Sequence, residues 1–286
     1  MATQTAIRPM RDGDAPAVDD LCRRVLYHEV PGEPEAERRA RSLARIEHLR
    51  ATDPEGAWVA EHDGAIAGVA LALVREGVWG LSLFAVADEV QRRGVGRRLL
   101  EAALDCAPHA RGRIILSSEH PGAMRRYALA GLSLHPCVQA GGIPDHARIP
   151  DVAARVEDAG AAGIPVADAV SRQVRGAGHG RDLPLLLDHR CRLLTFEDRA
   201  FAVLGDFGVV PLLGARDEEA ATTVLAGAMA ACPPQTTISL GFLTADQQWA
   251  VRACLEAGLV LSPDGPVFLS GDVGPFAPYV PSGWFL

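Results

Sequence analysis

The run Gln91-Arg92-Arg93-Gly94-Val95-Gly96-Arg97-Arg98-Leu99-Leu100 brings glycine and positive charge together at one place. It follows a strand-like segment, Val78–Val86. It opens an amphipathic helix whose Val95, Leu99, Ala103 and Leu104 form an apolar stripe. That arrangement is an anion cradle. Gly94 and Gly96 allow a tight turn and close backbone approach. The amides of the first helical turn lack intrahelical partners, and the helix dipole favours negative charge beside them. Arg92, Arg93, Arg97 and Arg98 add positive charge around it. A solvated arginine face on a glycine turn is the competing account. A dinucleotide fingerprint needs a third glycine where this chain has Leu99. A Walker A loop needs a lysine, and the sequence contains no lysine at all, so its 28 basic residues are all arginines. Schiff-base chemistry and the kinase strand lysine are excluded on the same ground.

Around this loop the sequence predicts the order β-α-α-β-β-β-α-β-α-β over the first half. Ala6–Arg8 reads as a strand and Ala15–Leu26 as a helix, with a Pro/Gly loop over His28–Pro34 and a charged helix over Glu35–Leu49. Strands are predicted at Ala57–His62, Ala65–Arg75 and Val78–Val86, joined by Asp63-Gly64 and Glu76-Gly77 turns. A helix from about Gly94 to Cys106, a strand Ile114–Ser118, a helix Pro121–Ala130 and a strand Leu132–Gln139 follow. The stretch from Gly141 to Ile164 is rich in Gly, Ala and Pro, with a helical patch near Val152–Ala159, and reads as a connection. In the second half, Arg199–Leu204, Gly208–Leu213 and Thr237–Leu243 read as strands and Asp217–Ala231 as a helix. The segment Ala128–Pro136 matches Leu255–Pro263 at an offset of 127 residues, which points to an internal duplication. The expected fold is α/β with a mixed sheet, in domains 1–142 and 165–286 joined by a linker 143–164.

Strand, Gln-Arg-Arg-Gly-Val-Gly and amphipathic helix together resemble the pyrophosphate loop of the GNAT superfamily of acyl-CoA N-acyltransferases, whose pattern is Q/R-x-x-G-x-G/A. The resemblance covers residues 3–140 well, and the second half resembles the same fold with its loop eroded, so the chain looks like a tandem GNAT protein. It implies an N-acetyltransferase that moves an acyl group from acetyl-CoA to a primary amine by direct attack, with its active site in the first domain. Backbone groups of Phe84, Ala85 and Val86 would pair with the pantetheine arm. Gln91, Arg92, Arg93, Gly94, Val95, Gly96 and Arg97 would hold the pyrophosphate. Tyr127, in Ala123-x-x-x-Tyr127-x-x-x-Gly131-Leu132, matches the family tyrosine that protonates the departing thiolate. A core tyrosine bonded through its hydroxyl is the alternative.

The general base of many relatives, a glutamate on the strand before the loop, is missing. Gly80 and Ser82 stand at the aligned positions. Glu119 and His120 are substitutes, with helix capping or surface exposure as the competing account. A water relay would need neither. Glu29 and Glu33 are candidates for recognising the amine, or else solvated loop charges. At the loop position of the second half, Gly214 is followed by Asp217, Glu218 and Glu219, which would repel a pyrophosphate, and Cys254 stands where Tyr127 stands in the first half. That half is not expected to bind CoA productively. His179, in a Gly-rich cluster, faces the shared cleft or lies in a helix-terminating turn, and the apolar tail Pro278–Leu286 is expected to be packed, with Tyr279 or the terminal carboxylate a candidate for a place near the cleft.

The net charge of −8 argues against nucleic acid and anionic membranes as partners. No apolar run reaches spanning length, and the opening residues have no apolar leader segment, so a cytoplasmic protein is expected. The six scattered cysteines and nine histidines show no metal-site spacing, and no metal is expected. The partner implied is a small-molecule or peptide amine. Two other readings remain open: a non-catalytic acyl-CoA sensor or partner module, and a structural repeat protein.

Overall fold

The computed structural model describes residues 5–26 and 33–286. The fold is α/β, and the chain divides into two compact units, Met1–Ala110 and Arg111–Leu286.

In the first unit, β1 (Ala6–Pro9), β2 (Ala57–His62), β3 (Ala65–Arg75) and β4 (Val78–Val86) form an antiparallel sheet in sequence order. Both hairpin turns run as the sequence predicts. Asp63 and Gly64 have φ of 52° and 78°, and Glu76 and Gly77 have 47° and 82°. Positive φ at both central residues matches the right-handed twist of the flanking strands. Three helices, α1 (Ala15–Val25), α2 (Glu35–Thr52) and α3 (Val95–Asp105), pack against β3. That central position explains why Val69, Ala70, Leu71, Ala72 and Leu73 are all buried, with no alternation between the two faces. Helix stripes close the core: Val18, Leu21 and Cys22 from α1, Ile46 and Leu49 from α2, and Val95, Leu99 and Ala103 from α3. Trp79 is buried, and its indole N–H donates to the Ala103 carbonyl at 2.9 Å, tying β4 to the last turns of α3.

The second unit contains β5 (Gly112–Leu116), α4 (Pro121–Leu129), β6 (Ser133–Gly142), β7 (Glu157–Asp158), α5 (Ile164–Arg175) and α6 (Leu183–Asp188). After these come β8 (Arg192–Phe196), β9 (Ala200–Leu204), β10 (Leu212–Ala215) and α7 (Glu218–Ala231). Last are β11 (Ile238–Leu243), α8 (Gln248–Glu256), β12 (Val260–Gly271) and β13 (Tyr279–Val280). One of its sheets has the order β13-β10-β9-β8-β7. In the other, the strands run β5-β12-β6-β11. The two halves of the sequence therefore interleave: β12 lies between β5 and β6, and β6 lies between β12 and β11. The offset of 127 carries α4 onto α8 residue for residue. Gly265 makes the interleaving possible where β12 bulges, because a Cβ there would sit 1.9 Å from the Ser117 carbonyl.

This pairing explains the division at residue 110. The sequence-based boundary after residue 142 falls inside the second unit, because β12 pairs along both β5 and β6 and binds residues 112–142 to the C-terminal half.

Other differences are local. The expected strand Gly208–Leu213 forms only from Leu212, since Gly208 turns at φ 71° and Pro211 has no amide to pair. Val209 makes one parallel bridge to Ser239. The helical patch expected near Val152–Ala159 is a 3-10 turn over Asp151–Arg155 followed by β7. Strand β8 went unrecognised, because Arg192-Leu-Leu-Thr-Phe196 is too short and continuous to separate from a helix by periodicity. Among the described residues, no helix is long and apolar enough to cross a membrane.

Candidate functional site

The loop 88–94 is built from both ends. A 3-10 turn, Asp88–Val90, seals β4 with Val90 buried. The Gln91 amide nitrogen then donates to the Val86 carbonyl at 3.0 Å and to Asp88 Oδ1 at 2.7 Å, so Gln91 braces the turn. Gly94 has φ 78° and ψ 0°, with nothing within 4 Å of where a Cβ would stand. It serves as N-cap to α3, and no side chain caps that helix. Nearly every helix start needs a side-chain oxygen or another acceptor for its first amides. The amides of Val95, Gly96 and Arg97 have no capping side chain, as at the starts of α1, α2, α5, α6 and α8; what sets α3 apart is the left-handed Gly94 with exposed arginines beside those amides, which suits an external anion.

The arginines divide. Arg92 and Arg93 are exposed, with Arg92 at φ 60°. Arg97 is exposed too and reaches Glu101 at 3.3 Å. Arg98, expected to join this positive ring, instead donates to the Thr5 carbonyl at 3.1 Å and braces the start of β1. Helical geometry causes the difference, because Arg98 lies next to the buried Leu99 and Leu100 on the face turned toward the sheet. Along β4, Leu83 and Ala85 are buried while Ser82, Phe84 and Val86 are half-buried, the alternation of a strand with one covered face. Phe84, Ala85 and Val86 pair with Ala70, Val69 and Gly68 of β3. Gly80 lies opposite Leu73 and offers no titratable group on this strand.

Of the amine-recognition candidates, Glu29 lies outside the described residues. Glu33 is not a solvated charge. Its carboxylate is 3% exposed and ion-paired with Arg41. A carboxylate taken out of water is held in place by its counter-ion, and α2 supplies Arg41 within its first two turns.

In the second unit, Tyr127 sits in α4 at 4% exposure. Its ring meets Phe268 of β12 edge-on, with centroids 5.5 Å apart at 73°. Burial pushes the phenol well above its ordinary value, with Arg126 opposing only weakly. The hydroxyl is therefore neutral and a donor over the physiological range. His120 is the N-cap of α4. Its Nδ1 accepts from the Gly122 amide at 3.2 Å and the Ala123 amide at 3.3 Å. Its capping role accounts for that nitrogen. Glu119 beside it is exposed.

The segment after β10 is a conventional helix start. Asp217 Oδ1 accepts from the Ala220 amide at 2.9 Å, and its carboxylate pairs with Arg199 at 2.9 Å. Cys254, at Tyr127 plus 127, is fully buried in α8, and burial pushes its thiol up to about 12. It is neither acid nor nucleophile at neutral pH. His179 and Tyr279, singled out separately in the sequence, are hydrogen-bonded at 2.7 Å. The sequence signals were the Gly-rich cluster around His179 and the apolar tail carrying Tyr279, and neither pairs the two residues. Among the described residues, no group of three His, Cys, Asp or Glu is placed to hold a metal.

Residues 22–131 match the family model described as the acetyltransferase (GNAT) family. A search of curated proteins finds no match. Among solved structures, an acetyltransferase candidate from Pyrococcus horikoshii aligns at TM-score 0.79 and 14% identity, over 98% of this chain and 95% of that one. A GCN5-related N-acetyltransferase from Kribbella flavida aligns at TM-score 0.60 and 16% identity, covering 93% of this chain and 71% of that one. Another, from Sphaerobacter thermophilus, aligns at TM-score 0.56 and 14% identity, over 93% and 95%. At such identities the likeness is one of fold. The chain thus shares the fold of these structures, and its match to the acetyltransferase (GNAT) family model is confined to residues 22–131.

Proposed function

We propose that the protein is an acyl-CoA-dependent N-acyltransferase that moves an acetyl group from acetyl-CoA to a primary amine of a small molecule or peptide. The observation that carries this reading is the start of α3: a left-handed Gly94, no side-chain cap, and exposed arginines at 92, 93 and 97. The amides of Val95–Arg97 bind the pyrophosphate, with Gln91 fixing the turn that presents them. Main-chain groups of Phe84–Val86 pair with the pantetheine arm. The amine attacks the thioester carbonyl directly, and the pair of electrons leaving that carbon ends on sulfur. Tyr127, kept protonated by burial, donates a proton or hydrogen bond to that sulfur. Glu119 is the remaining side-chain candidate for taking the amine proton. His120 has one nitrogen left for that task while the other caps α4. The residues 165–286 form a second GNAT-like half whose loop has been replaced by an ordinary capped helix, so they carry no second acyl-CoA site.

The test is release of free thiol from acetyl-CoA across a panel of primary amines, with wild type and Tyr127→Phe. Turnover of at least one amine by wild type, with a Tyr127→Phe rate lower by about 10²-fold or more at unchanged acetyl-CoA affinity, supports the assignment. Equal rates would remove Tyr127 from the chemistry. Tight acetyl-CoA binding with no amine acylated would favour the second reading, a non-catalytic acyl-CoA sensor. The missing glutamate at Gly80 and Ser82 is the observation behind that alternative.

A further inference from the structure

The residues after β12 are bound as a ligand is bound. Phe276, Tyr279, Phe285 and Leu286 are at most 5% exposed, and Tyr279 and Val280 add as β13 to the edge of β10, opposite Gly214 and Leu213. Beyond that strand addition, the main chain of the segment is read by others. Its Phe276 amide donates to the Val174 carbonyl of α5 at 2.7 Å, and the Ala215 amide donates to the Pro278 carbonyl at 3.2 Å. Gln247, just before α8, donates to the Phe276 carbonyl at 2.8 Å and accepts from the Tyr279 amide at 3.1 Å. Arg175 donates to the Phe285 carbonyl at 3.2 Å. His179 meets the Tyr279 hydroxyl at 2.7 Å, and that hydroxyl donates to the Leu286 carbonyl at 2.8 Å.

Arg175, His179 and Gln247 are each at most 1% exposed. Burying an arginine, a histidine and an amide is costly unless each finds partners. Arg175 also bonds the Ala177 carbonyl, and Gln247 also accepts from the Trp249 indole. The rest of the bonding given above goes to the main chain of residues 276–286 or to Tyr279. An ordinary core is apolar and indifferent to its neighbour's backbone. This groove instead combines strand addition with buried polar groups aimed at main-chain atoms and apolar pockets for aromatic rings, the pattern by which proteins recognise extended peptides.

We propose that α5, the loop 176–182, β10 and the turn before α8 form a peptide-binding groove for an extended, apolar, aromatic segment. Residues 275–286 of this chain are its built-in occupant. The groove holds them as a separable ligand, by the Tyr279 bonds and the β10 edge. This assignment is independent of acyl transfer.

The test keeps the full chain. A protease recognition site is inserted between the exposed Gly274 and Pro275, and the purified, folded protein is then cut. The cut fragment is expected to co-elute with the body of the protein on gel filtration. A fluorescein-labelled peptide of residues 275–286 is expected to exchange into the cut protein saturably, at one per chain. The same peptide carrying Tyr279→Ala is expected to compete at least ~10-fold less well, the loss of about two hydrogen bonds. Failure of the labelled peptide to bind overturns the proposal, as does equal competition by the Tyr279→Ala peptide. Unfolding of the cut chain even in excess peptide also overturns it, because the segment would then be an inseparable part of the core.

Discussion

In the proposed function, Gly94 and Tyr127 act through what they lack. Gly94 has no side chain to cap α3 or to obstruct an anion, and Tyr127 has no charge at any ordinary pH. Replacing Gly96 with aspartate tests the loop without threatening the helix. A carboxylate in the first turn favours the helix dipole by about 0.3–1 kcal/mol, yet repels a pyrophosphate at the same amides. Gly96→Asp is therefore expected to keep the wild-type melting temperature within a degree or two and to lose at least ~10-fold in acetyl-CoA affinity by calorimetric titration. Tyr127 gives a pH prediction. A general acid works while protonated and fails as pH rises through its pKa, and burial places that pKa above the ordinary 10.0. Tyr127-dependent turnover should hold to pH 10 once substrate ionisation is accounted for. A loss near pH 8 or 9 would point to another group. The loop was legible in the sequence because glycine spacing, arginines and the preceding strand coincide within a few residues. Arg98 was misread because spacing alone does not say which arginine lies toward the sheet, and the solvated reading of Glu33 fails because its burial depends on Arg41, eight residues on.

Among the elements, the start of α7 and the interior of β12 decide how the second unit holds together. Burial by itself would raise the Asp217 carboxyl, but the Ala220 amide and the Arg199 guanidinium hold it below its ordinary value. A depressed carboxyl stabilises the fold above its unfolded value near 3.8 and loses that contribution as pH falls through the folded one. Asp217→Ala should cost about 1 kcal/mol at pH 7 in urea unfolding, as cap removals do, and the gap to wild type should close below pH 4. Strand β12 carries the larger load. Phe268 is fully buried between β5 and β6 and supports the Tyr127 ring. Phe268→Ala should cost about 3–5 kcal/mol. Elements with clear turn chemistry or a long amphipathic stripe were readable, including both hairpins and α3, α4 and α7. The interleaving of β6 and β12 was not. The repeat at an offset of 127 reveals that two segments are alike, but pairing partners are set by long-range contacts that no local pattern encodes.

Taken as a whole, the chain sets two segments alike in sequence to different ends. Residues 112–142 and 238–271 supply like strands to one interleaved sheet, while the loop before α3 keeps an open helix start and the turn before α7 is capped by its own aspartate. The absence of lysine fits this division. An uncapped helix start with arginines around it binds phosphate without an ammonium group. The account stands on acetyl-CoA binding at that start, and thermal unfolding with increasing acetyl-CoA measures it most directly. At a ligand concentration about 100 times Kd, binding to the native state adds about 2.7 kcal/mol. The account predicts a melting temperature that climbs with acetyl-CoA in the wild type and stays nearly flat in Gly96→Asp. No shift in the wild type at millimolar ligand, or an equal shift in both proteins, would contradict it.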